Sequence, residues 1–185
     1  LDMFDETTGG RIIHSVNQVG GVQKDMDSTM LNDILHAIDD IEKQMKPIVK
    51  TFLHDYTVQS RLKGVGVLSK DDALAQGAVG PMLRASGVEY DARLLGYGAY
   101  KDLTVEPIIS KDGDSYGRCE VRLKELFQSF DLIREAIGKI PQGDISVPVK
   151  GNPDGEYFVR IEQPRGEAIY YVKGSGKKYL DRFRL

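Results

Sequence analysis

Residues 27–56 read DSTMLNDILHAIDDIEKQMKPIVKTFLHDY, and their spacing decides the fold class. Apolar side chains fall at Leu31, Ile34, Ile38, Ile41, Met45, Ile48 and Phe52, in alternating steps of three and four. That rhythm keeps one stripe of a helix apolar along its length, as in a coiled-coil seam. Leu35 and Val49 widen the stripe, while Asp33, Asp39, Asp40, Glu42, Lys43, Lys46 and Lys50 take the other faces. Asp27 or Ser28 supplies the N-cap oxygen. Pro47 lacks an N–H and crowds the carbonyl one turn back, which predicts a kink. A seam this long needs a partner helix. One other long helix is visible, from Tyr116 to Gly138, with Leu123, Leu126, Phe127, Phe130, Ile133 and Ile137 on its apolar face. Part of the seam is therefore expected to lie exposed, or to associate with a second copy of the chain.

Outward from that helix the chain is more broken. Leu1-Asp2-Met3-Phe4 reads as the end of a helix cut from something longer, stopped by Thr7-Thr8-Gly9-Gly10-Arg11. Residues 12–16 read as irregular, up to a second glycine pair at Gly20-Gly21. Ser69 caps a short helix, Lys70 to Gln76, with Asp71 and Asp72 in its first turn and Gly77 after it. Residues 88–113 read as loop with short strands such as Leu103 to Ile109. Pro, Gly and Asp mark 141–155 as a linker. Glu156 to Gln163, Glu167 to Lys173 and Tyr179 to Leu185 form a three-stranded meander, with Tyr157, Val159 and Ile161 on one side of its first strand. The class is α+β: long helices forming part of a helical bundle over 1–140, the linker, then a C-terminal antiparallel β meander over 156–185, cut short at its end.

Composition narrows the function. The 185 residues are 41% apolar and 29% charged, with a net charge of −3 and no basic stripe, so nucleic acid is not the expected partner. The single cysteine, Cys119, forms no internal disulfide and holds no thiolate metal site alone, which points to a cytoplasmic setting. No apolar run of 18 residues is present to span a bilayer, and the polar, acidic start is unlike a signal peptide.

Few constellations carry chemistry. His36 and His54 sit on one helix roughly 27 Å apart, so they share no metal. His14 lies in a glycine-flanked loop. Gly64-Val65-Gly66 opens like a dinucleotide fingerprint but has Ser69 where the third glycine belongs and no βαβ frame, so close packing of a helix start explains it better. In Gly80-Pro81-Met82-Leu83-Arg84-Ala85-Ser86-Gly87, an arginine among apolar residues suggests a buried cation held by carboxylates or carbonyls. Such a group either pins a loop to the bundle or polarises a ligand oxygen. Asp5, Glu6, Asp25, Asp91 and Arg93 are candidates for structural ion pairs, and no nucleophile elbow is present.

Five stretches together resemble a known family: Thr8-Gly9-Gly10-Arg11-Ile12-Ile13-His14 with Gly20-Gly21-Val22; Gly64 to Ser69; Gly80 to Gly87; Gly113-Asp114-Ser115-Tyr116-Gly117-Arg118; and Glu162-Gln163-Pro164-Arg165-Gly166-Glu167. In that order they are similar to the large subunit of energy-converting nickel–iron hydrogenases and to the 49-kilodalton subunit of respiratory complex I. The resemblance implies an internal piece of an oxidoreductase subunit, inactive alone, that builds the wall of a redox cavity. It implies an iron–sulfur small subunit and membrane subunits as partners, peripheral to the cytoplasmic membrane. The parent's cofactor is a nickel–iron centre in the hydrogenase reading, or quinone with NADH as distal donor in the complex I reading. The hydrogenase's metal-binding cysteine pairs have no match here, so no catalytic residue and no metal ligand is expected. Arg11, His14, Arg61, Arg84 and Ser86 are the candidates for cavity lining or subunit contact. The short 144–154 segment and Ser15-Val16-Asn17-Gln18 favour the hydrogenase branch. A non-catalytic interaction module is the remaining alternative.

Overall fold

A computed structural model describes residues 1–185. The first helix, α1 (Asp2–Thr8), ends where Gly9 turns left-handed at φ 75°. A two-residue-per-strand hairpin follows, β1 (Asn17–Gln18) and β2 (Gly21–Val22). It is built on the second glycine pair, in a region otherwise irregular as expected.

The seam folds as α2 (Ser28–His54), capped by Asp27, whose carboxylate accepts from the Met30 N–H at 2.8 Å. Pro47 lies inside α2, which continues to His54. The helix stops short of Tyr56 because Asp55 leaves the helical region and caps a new helix, α3 (Tyr56–Leu62), by accepting from Val58 N–H at 2.9 Å. The short helix α4 (Lys70–Ala75) is capped by Ser69, and α5 (Gly80–Ala85) follows with Pro81 in its first turn. Two 3₁₀ turns, Ala92–Leu95 and Gly98–Asp102, precede the second long helix, α6 (Ser115–Lys139).

The expected strand at Leu103 to Ile109 does not form. Helix α6 takes up backbone groups of this segment: Glu135 accepts from Thr104 N–H at 2.9 Å, and the Gln128 amide donates to the Glu106 carbonyl. Helix α6 runs through Gly138 rather than ending there. Its Asp114 cap accepts from Gly117 N–H at 2.8 Å and from Gly64 N–H at 2.7 Å. Ser115 N–H donates to the Val65 carbonyl at 3.0 Å, so Gly64-Val65-Gly66 packs on a helix start.

Helices α2 and α6 pack together, with Ile38 and Val49 buried on one and Val121, Phe130 and Leu132 on the other. Val121 and Leu132 lie outside the face expected from sequence, while Ile133 is 40% exposed. Arg134 of α6 clamps Asp39 and Glu42 of α2. The outer edge of the seam, Ile41, Ile48 and Phe52, stays exposed.

The meander is β3 (Asp154–Gln163), β4 (Gly166–Ser175) and a β5 of only Arg182–Arg184, antiparallel in that order. Its anchored end is the β3–β4 turn. Gly80 and Gly166 meet backbone to backbone, so closely that a Cβ on Gly80 would lie 2.3 Å from the Gly166 Cα. The other end stands in solvent: Tyr157 and Val159 are exposed, so the alternation of the strand is not matched by burial. Of the expected 141–155 linker, residues 141–153 lie outside the strands and Asp154 already opens β3; the linker pairs with the first hairpin, where Val22 N–H donates to the Ile145 carbonyl and Val147 N–H to the Gly20 carbonyl, both at 3.0 Å.

Candidate functional site

The Gly80–Gly166 contact places the last residues of β3 beside α5, and there Arg84 is only 2% exposed. Its Nε donates to Glu125 Oε1 of α6 at 2.7 Å. Its Nη1 donates to Glu162 Oε1 of β3 at 3.0 Å and to the Tyr90 carbonyl at 3.2 Å, with Asp91 Oδ2 also at 3.2 Å. One guanidinium thus joins α5, the first 3₁₀ turn, α6 and β3, held by carboxylates and a carbonyl as the sequence suggests.

Asp91 is fully buried and is further bound by the Arg93 backbone N–H, Nε and Nη2, at 2.6–2.9 Å. Burial pushes its carboxyl up, but the Arg93 bonds and the Arg93 and Arg84 charges outweigh that and hold it below the ordinary aspartate range. Glu125 goes the other way. Burial raises it, and the opposing charge and hydrogen bond of Arg84 do not overcome the rise. Glu162 Oε2 accepts from Ala92 N–H at 3.2 Å, and the Tyr97 hydroxyl accepts from Glu162 N–H at 2.9 Å. The Tyr90 hydroxyl donates to Glu167, a bond that raises the phenol, with burial adding to it.

A cavity of about 350 Å³ opens on this cluster, lined in part by Arg84, Arg93, Arg122, Glu125 and Glu162. Such a lining orients water or an oxygen-bearing guest but offers no nucleophile. No group of three or more His, Cys, Asp or Glu side chains is placed to hold a metal ion, and Cys119 is a lone half-buried thiol on α6. A thiolate-held nickel–iron centre does not fit the residues of this chain.

The other candidates lie apart from this cavity. Arg11 is exposed and pairs with Asp2 at 2.5 Å and Asp5 at 3.3 Å on α1. His14 is exposed, stacks on Phe4 at 4.7 Å between ring centres, and its Nδ1 lies 3.1 Å from Thr8 Oγ1. Arg61 is exposed in the last turn of α3. Ser86 is buried beside Arg84, and its hydroxyl donates to the Leu68 carbonyl at 2.8 Å, tying two loops. Sequence reasoning does not single out Glu125 or Glu162. The signal for Glu125 is its place at helical spacing between the buried Val121 and Leu132.

Compared with known proteins, residues 1–152 match the family model of the respiratory-chain NADH dehydrogenase 49 kDa subunit. The chain belongs to this 49 kDa subunit family. Family relatives carry different electron partners in their names. One NADH-quinone oxidoreductase subunit, from Thermosipho melanesiensis, is 35% identical over 95% of this chain and 50% of its own length. A membrane-bound hydrogenase alpha subunit, from Pyrococcus furiosus, is 36% identical over 94% of this chain and 45% of its own. Among solved structures, a polypeptide of the membrane-bound sulfane sulfur reductase, an archaeal respiratory membrane complex, superposes with a TM-score of 0.92 at 30% identity, covering 99% of this chain and 52% of that one. The chain spans about a third to a half of the length of the curated relatives it matches. No helix is long and apolar enough to cross a membrane.

Proposed function

We propose that the chain is part of the large subunit of a membrane-associated, energy-converting hydrogenase-like complex, in which electrons pass to protons and drive ion pumping. Its residues form a rigid wall of the redox chamber, and the reactive centre is held by the rest of the subunit. Support comes from the likeness of nearly all of this chain to about half of one polypeptide of a respiratory membrane complex, at a TM-score of 0.92, together with the hydrogenase relative. Electrons arrive from an iron–sulfur partner, and membrane subunits anchor the assembly at the cytoplasmic face. A second reading, quinone reduction with NADH as distal donor, is favoured by the family description and the quinone oxidoreductase relatives.

The test is to tag the full-length subunit in its host, purify the complex from membranes and assay it. Hydrogen evolution from a reduced low-potential donor supports the first reading. NADH-driven quinone reduction without hydrogen evolution replaces it with the second. Recovery of the tagged protein alone, with no iron–sulfur partner, overturns both.

A further inference from the structure

The buried cluster holds more acid than base. Three carboxylates, Asp91, Glu125 and Glu162, share two guanidinium groups, Arg84 and Arg93. An uncompensated charge in a low-dielectric site is costly, and the usual relief is a proton on the least supported acid. Donors are unevenly divided. Asp91 takes three bonds from Arg93 and lies beside Arg84. Glu162 uses both oxygens, one toward Arg84 and one toward Ala92 N–H. Glu125 receives a single bond, on Oε1, and its side chain keeps 16% exposure on the cavity wall.

From this geometry we propose that Glu125 is a proton-binding site, whose carboxyl exchanges one proton with the cavity. The charged and titratable groups facing it are Arg84 from α5, Asp91, which caps the first 3₁₀ turn, Arg93 within that turn, Tyr100 from the second, Glu162 from β3 and Arg122 from α6 itself. Arg122 lines the same cavity but forms no ion pair with Glu125, and its Nη1 donates instead to the Pro164 carbonyl at 3.3 Å. The step is simple: an O–H bond forms on the carboxylate, the proton comes from cavity water and returns there, and no electrons move. A negative charge entering the cavity favours uptake, and a positive one favours release. The proposal rests on the cluster alone and stands whichever electron acceptor the complex uses.

Infrared spectroscopy of the full-length subunit in its complex tests it. In a pH series that runs through and above about 4.3, the pKa of an ordinary glutamate, the wild type is expected to keep a protonated carboxyl band above that value, and the band shifts in deuterated water. Glu125→Gln keeps an acceptor for Arg84 Nε and is expected to lose that band, while Asp131→Asn, an exposed neighbour on α6, keeps it. A wild-type spectrum without the band, or its survival in Glu125→Gln, overturns the proposal. Because the first of these needs no variant, the test holds even if Glu125→Gln folds poorly. A null result here leaves hydrogen evolution or quinone reduction untouched, so the two readings fail separately.

Discussion

Arg11 and Arg84 each gather carboxylates around one guanidinium. Arg11 does so on α1, with its side chain 55% exposed and Asp2 87% exposed. Arg84 does so at the junction of four elements, with its side chain 2% exposed and Asp91 fully buried. Distance does not separate them, since Arg11 to Asp2 is 2.5 Å and Arg84 to Glu125 is 2.7 Å. Surroundings do. A unit-charge pair at 4 Å is worth about 1 kcal/mol in water and about 4 kcal/mol at an effective dielectric of 20. The first pair is screened and dispensable. In the second, each member depends on the others, because a buried charge left alone has no water to turn to.

The sharpest way to break this comparison is Arg84→Met. It leaves three acids without a shared partner and is expected to cost about 3–5 kcal/mol in urea unfolding of the full-length subunit. A cost below about 1 kcal/mol would mean the cluster relaxes like a surface pair. Next comes Gly80→Ala. It puts a Cβ into the Gly166 backbone at a φ of +62°, and about 2–4 kcal/mol is expected from overpacking and left-handed strain together. Hydrogen exchange should then rise first at the β3–β4 turn.

A smaller, signed effect concerns pH. The folded-state pKa of Asp91 is depressed, so its stabilisation is present above the unfolded value of about 3.9 and is lost as pH falls through the folded value. Asp91→Asn should flatten that acid limb of the melting curve. Glu125 has the opposite sign. Its folded pKa is raised, so its contribution is full below about 4.3 and is lost as pH rises through the folded value. Melting of Glu125→Gln should therefore gain on wild type as pH rises. Smallest is Arg11→Ala, expected to cost under about 1 kcal/mol and to vanish in about 1 M salt, while the Arg84 cluster is little affected by salt. Ile48→Gln on the open edge of α2 should change stability by about 0.5 kcal/mol or less. We propose that this edge self-associates. Light scattering of wild type and variant checks it: a wild-type monomer removes the idea.

Local chemistry is legible in the sequence, and long-range pairing is not. The Ser69 cap and the Gly9 stop declare themselves by type and place, while the α2 cap is narrowed only to Asp27 or Ser28 and Gly138 does not stop α6. The α+β class follows from the seam and the meander. The buried state of Arg84 is readable from its apolar neighbours, but its partners come from α6 and β3, 41 and 78 residues further along. Nothing local announces such a meeting. Leu103 to Ile109 reads as strand because its composition suits one, yet Glu135 and Gln128 meet its backbone from the side. The apolar alternation of β3 is clear, but the sheet docks by its turn, not by that face.

The touch between Gly80 and Gly166 also sets a rule for lengthening this polypeptide. A hairpin whose tip presses on a helix has no room to grow there, so an inserted tag or reporter between Pro164 and Arg165 would prise the sheet off α5. The coil around Lys150 and Gly151 carries no such contact, and extra residues can loop out from it. A handle on this protein therefore belongs in that coil and not at the hairpin tip.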